Sequence, residues 1–135
     1  MKVKRTVLFS LLALSLVLSA CGGASGPSTS IKVNFSDFKF TPAEFTIPAG
    51  QLITITATNE GQVEHEFVIM KLGMTAGDKF GDEDEANIYW EVEAAPGETK
   101  TETFTAPTEP GEYELVCGTQ GHLEAGMVGK LTVAP

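Results

Sequence analysis

The chain has 135 residues, 42% of them hydrophobic and 8% aromatic, enough for one small domain with an apolar core but not for two. Its formal net charge is −9, from 18 acidic and 9 basic residues. That balance makes nucleic acid and an anionic membrane surface poor partners for the folded part, and a partner with a basic docking face the natural one.

Lys2, Lys4 and Arg5 precede an apolar run over residues 7–20 that ends in Leu18-Ser19-Ala20-Cys21. The run is too short to span a bilayer and reads as an export signal over residues 1–20. Leu-Ser-Ala-Cys resembles a bacterial lipobox, so Cys21 is the expected lipidated first residue of the mature chain. Acyl chains there would tether the domain to the outer face of the cytoplasmic membrane or within the periplasm. Removing residues 1–20 takes away three cations and no anions, which moves the net charge from −9 to −12. Residues 21–30, rich in Gly and Ser, form a flexible tether with nothing to bury. Residues 31–135 are left for the folded domain.

Within that domain Ile31, Val33 and Phe35 alternate with polar residues and open the fold. Residues 38–48 carry Phe40, Phe45 and Ile47 between Pro42 and Pro48 and read as one edge strand. The clearest strand is 51–59, where Ile53, Ile55 and Ala57 alternate with threonines. Asn59-Glu60-Gly61 then turns into a strand in which His65 is in phase with Phe67 and Ile69 and points at the core. Residues 73–86 hold Asp78, Asp82, Glu83, Asp84 and Glu85 with Lys79 the lone cation, and read as an exposed excursion. Short strands over 88–94 and 99–105 follow, the latter bracketed by Pro96-Gly97 and Pro110-Gly111 turns. About eight short strands and no convincing helix predict an all-β, antiparallel sandwich.

The densest chemistry lies near the C-terminus, in Cys117-x4-His122-x4-Met127, a Gly-rich loop between two strands. Alternation puts Cys117 on the face of Tyr113 and Leu115, and Met127 on that of Leu131 and Val133, so both sulfurs end core faces. If Cys21 carries lipid, Cys117 has no disulfide partner, and an unpaired thiol in an exported chain calls for a role such as metal ligation. A thiolate, a thioether and imidazole form a soft donor set. With His65, the one other histidine, it matches the two-His, one-Cys, weak-axial-Met arrangement of blue-copper sites. Met127 as plain core packing is the alternative for that position.

On this loop and on His65, the chain resembles the cupredoxin family over residues 31–133, with spacing similar to the auracyanin and rusticyanin branches. The resemblance implies a Greek-key sandwich binding one copper ion through His65, Cys117, His122 and Met127. It implies a carrier of single electrons between redox partners, cycling Cu(I) and Cu(II); with the lipobox at Cys21, the expected protein is a monomeric, membrane-tethered carrier. It also implies an electron port at His122, ringed by Gly121, Leu123, Ala125 and Gly126. Relatives often place Asn or Ser after the first histidine; here it is Glu66, either a surface group or a ligand of a non-blue site. The rival reading is an envelope copper-binding or delivery protein, less favoured because beyond Met127 only Met70 and Met74 remain in the mature chain. A metal-free adhesive or structural lipoprotein is a third. No nucleophile–base pair, phosphate loop or acid dyad stands out, and further copper ligands for an oxidase are missing, so the chain reads as a carrier and not an enzyme.

Overall fold

The structure is a computed structural model that describes residues 26–135. The export signal and Cys21 lie outside them. Nine strands form two facing sheets. They are β1 (Ser30–Ser36), β2 (Lys39–Thr41), β3 (Glu44–Pro48), β4 (Leu52–Asn59), β5 (His65–Met70), β6 (Ile88–Ala94), β7 (Thr99–Thr105), β8 (Gly111–Val116) and β9 (Val128–Ala134). One sheet has the order β2-β1-β4-β7 and the other β3-β9-β8-β5-β6. Among the described residues the single helical element is a 3₁₀ turn, Glu85–Asn87, and no helix is long and apolar enough to cross a membrane.

The expected sandwich is present, with two departures. The edge strand read over 38–48 is two strands, β2 in one sheet and β3 in the other. Pro42, between them, cannot donate to a ladder, so the chain changes sheets there. Each sheet also contains one parallel pair, β1 with β4 and β3 with β9, beside its antiparallel pairs.

Alternation builds the core. Ile53, Ile55 and Ala57 are buried along β4 while their Thr neighbours face out, and cross-strand hydroxyl contacts join Thr56 to Thr101 and Thr58 to Thr99 on that outer face. Between the sheets Phe67 is an aromatic hub. Phe35 stacks on it at 6.2 Å, and Phe40 and Phe45 meet it edge-on at 5.3 and 5.8 Å.

The acidic excursion is more than a solvated loop. Ala76 and Phe80 pack on Val68, Met70, Val116 and Leu123, the outer face of β5 and β8. The Ala76 N–H donates to Glu114 Oε2 at 2.8 Å, and Lys71 Nζ donates to the Ala86 carbonyl at 2.7 Å. Asp84 is buried, its carboxylate accepting the Gly81 N–H at 3.0 Å. β5 is therefore covered on both faces over most of its length. Removing the hub ring by Phe67→Ala should lower unfolding free energy by about 3–5 kcal/mol in a urea titration, since two sheets lose the same contact.

Candidate metal centre

β5 pairs with β8 in the register Val68–Val116 and Ile69–Leu115. His65 at the start of β5 and Cys117 just past β8 consequently meet, fifty-two residues apart in sequence, with Cys117 Sγ 3.9 Å from His65 Nδ1. The loop after Cys117 returns in tight turns. The His122 N–H donates to the Thr119 carbonyl at 3.0 Å, that of Met127 to the His122 carbonyl at 2.9 Å, and that of Cys117 to the Met127 carbonyl at 3.1 Å. Gly121 and Gly126, at φ +84° and +92°, supply the left-handed bends this path needs. His122 Nδ1 thereby comes to 3.5 Å from Cys117 Sγ and 3.1 Å from His65 Nδ1.

These three donor atoms form a compact triangle among fully buried or nearly buried residues. A point equidistant from all three lies about 2 Å from each, the length of metal–imidazole bonds and slightly under that of metal–thiolate bonds. Met127 is fully buried beside Cys117 through the shared backbone bond and belongs to the inter-sheet core. The residues present fit a single soft, trigonally held ion.

The surroundings fix the triangle. The Glu66 N–H points at Cys117 Sγ at 3.5 Å, and the Thr119 hydroxyl donates to the Glu64 carbonyl at 2.9 Å, stapling the loop to the start of β5. Upstream, buried Asn59 donates to the carbonyls of Val63 (2.8 Å) and Ala94 (2.7 Å) and accepts from the Gly61 N–H (2.8 Å), holding the turn that delivers His65. His65 Nε2 is buried without a hydrogen bond; Asp37 Oδ1 lies 3.4 Å away but outside hydrogen-bond geometry.

Burial, and then the nearby His122, lower the pKa of His65, with Asp37 opposing them. Burial pushes the Cys117 thiol up, against the pull of Thr119 and the Glu66 N–H. The metal-free site thus favours neutral imidazole and protonated thiol, and a metal must displace the thiol proton.

The chain matches the family described as a cupredoxin-like domain over residues 8–133. It belongs to that family. This cupredoxin is 33% identical to auracyanin-A of Chloroflexus aurantiacus, over 97% of each chain. It is 34% identical to the copper-resistant cuproprotein CopI of Rubrivivax gelatinosus, over 83% of this chain and 70% of that one. Among solved structures, dithionite-reduced auracyanin from Roseiflexus castenholzii superposes with a TM-score of 0.70 at 35% identity, over 82% of this chain and all of the other.

One expectation about the site's rim changes. Leu123 does not ring a port; it turns inward onto Val68, Met70 and Val116. His122 is only 7% exposed, its ring met edge-on by Phe38 at 5.1 Å. Phe38 and Asp37 were not read as site residues. Their signal was an aromatic in a Ser-Asp-Phe-Lys turn, where small or polar residues are usual.

The Glu66 side chain points to the outer face, away from the triangle, in a cluster with Glu64 and Glu93 whose oxygens lie within 4.8 Å of one another. Its pKa is raised by partial burial and then by Glu91, Glu93, Glu64 and Glu85. A raised carboxyl pKa means that folding works against its ionised form, so Glu66 opposes stability at neutral pH and stops doing so as pH falls through its folded value. Glu66→Gln should therefore raise the melting temperature at pH 7, and the gain should vanish below the ordinary value of 4.5. Thermal melts across that range check it.

For the metal-free protein the two buried donors set opposite limits. His65, with a lowered pKa, withdraws stability as pH falls below its ordinary 6.5. Cys117, with a raised one, does so as pH rises above its ordinary 9.0. Against the His65→Phe and Cys117→Ala variants, the metal-free parent should lose melting temperature more steeply at the corresponding end of the pH range.

Proposed function

We propose that the protein is an exported blue copper protein that carries single electrons, with copper held by His65, Cys117, His122 and Met127. The observation that carries this reading is the buried Nδ1–Nδ1–Sγ triangle with its fitting centre. Copper supplies a Cu(I)/Cu(II) couple. The chain's part is to keep the donors in place in both states. His65 is held by a paired strand, Cys117 and Met127 by the Cys117 N–H donating to the Met127 carbonyl, and His122 by two turns between them. Burial excludes water from the donors, which suits transfer without bond making.

In this reading residues 1–20 are removed, Cys21 carries lipid, and 21–30 tether a monomeric domain of residues 31–135 in the cell envelope. The partner is a redox protein with a basic face. Glu64, Glu91 and Glu93 stand with Glu66 on the outer side of β5 and β6, the two strands next to β8 and Cys117, and give the charge complement. Asp84, buried in the excursion and accepting the Gly81 N–H, is structural. A copper-handling role, favoured by the likeness to CopI, is the second reading. Against it, Met70 is fully buried, leaving Met74 as the one exposed thioether among the described residues.

The deciding experiment is the visible and EPR spectrum of the copper-loaded, oxidised protein. An intense thiolate charge-transfer band that disappears in Cys117→Ser is expected, and a faint spectrum would favour copper handling. Met127→Leu removes a soft donor at little change in volume. The cupric state loses more than the cuprous, so the potential should rise while the colour survives. Met127→Gln offers a harder oxygen, and voltammetry should find its potential below the parent's. Unmoved potentials would make Met127 a core residue only.

For steering, electron exchange with cationic hexaammineruthenium should slow as salt is added, and exchange with anionic hexacyanoferrate should quicken. Neutralising Glu64, Glu91 and Glu93 to glutamine should flatten both trends and leave the spectrum alone. Cys21→Ser should release the protein into the soluble fraction or block its maturation.

A further inference from the structure

The turn between β1 and β2 reaches both imidazoles of the centre at once. Asp37 Oδ1 accepts the Gln62 N–H at 3.0 Å and lies 3.4 Å from His65 Nε2. Gly61 closes the gap, since a Cβ there would sit 2.5 Å from Nε2 and 2.6 Å from that same oxygen. The next residue, Phe38, is the one non-glycine among the described residues at positive φ, +63°. A bulky side chain rarely adopts that conformation. Half of the ring is exposed, yet its edge contact covers His122. Apolar surface left in water on a strained backbone does nothing for the core, and its one described aromatic contact is a metal-facing imidazole.

Resting on the copper reading, we propose that the Asp37-Phe38 turn is a two-point positioning clamp on the centre, Asp37 acting on His65 and Phe38 on His122. The negative charge of Asp37, 3.4 Å from Nε2, favours the tautomer of His65 with its proton on Nε2, which leaves the Nδ1 lone pair facing the triangle. The same charge also favours the cupric state. Phe38 keeps water and small ligands from the outer side of His122 and restrains the ring's rotation. Both residues act through the ligands and touch neither the ion nor a partner's reacting atoms.

The test uses four variants in the full protein. Phe38→Gly accepts the positive φ and removes the ring, so its melting temperature should stay level or rise. Copper should nonetheless leave it about tenfold faster to an excess of external chelator, in line with losses on altering groups behind metal ligands. In the metal-free form, diethyl pyrocarbonate should label His122 faster than in the parent, and Phe38→Tyr should restore both rates. Asp37→Ala should release copper faster and raise the reduction potential. Asp37→Asn keeps the acceptor for the Gln62 N–H, and with it the turn, but loses the charge, so it should hold copper nearly like the parent while its potential still rises. Parental copper loss, labelling and potential in Phe38→Gly and Asp37→Ala would overturn the clamp. So would release rates that merely follow a fall in melting temperature. A parent that binds no copper would instead sink the underlying reading, and the labelling of metal-free His122 would still judge the Phe38 contact.

Discussion

The centre depends on one strand register. With Val68 opposite Val116, the even–odd alternation of β5 sends His65 to the inner face beside Cys117 and sends Glu66 out. A slip of one residue would exchange them, placing a carboxylate where the imidazole belongs and a histidine among glutamates. The register is held from both sides. Inside, Phe67 is locked among three other rings. Outside, Val68 and Met70 are covered by the excursion that follows β5, so neither face can change places without exposing apolar surface.

The same strand separates two electrostatic environments. Its inner end carries donors that favour neutrality when no ion is bound, because burial works against charge on His65 and on Cys117 alike. Its outer side carries carboxylates that repel one another, with Glu66 pushed up by partial burial and then by them. Copper held by His65, Cys117 and His122 would relieve the first environment. The second remains as surface charge, close enough to shape approach and exposed enough to be screened by salt.

Much of this was legible in the chain. The alternation of β4 and the Cys117–His122–Met127 spacing are local patterns, which the order of residues alone displays. The inward phase of His65 followed from Phe67 and Ile69. Other features depend on contacts between distant segments. Pro42 was visible as punctuation, but the switch of sheets behind it depends on which strand waits on each side. The acidic run looked solvated because its charges hide Ala76, Phe80 and the structural Asp84. Phe38 looked like part of an edge strand because it has the same parity as Phe40; the turn at Asp37 breaks that phase. The approach of Asp37 to His65 is likewise a tertiary contact.

The alternating glutamates of β6 have one more effect. β6 ends its sheet and presents an unpaired row of backbone donors and acceptors, the kind of border on which a second chain could nucleate a fibril. Glu91 and Glu93 along it would face the same residues of an antiparallel copy at close range, and like charges directly opposed disfavour such pairing. Of the two borders of the other sheet, β2 is three residues long and offers little to extend, and β7 carries Lys100 and Glu102 along its seven residues. Wherever copies of the domain meet repeatedly at high local concentration, this charge pattern is a safeguard against polymerisation.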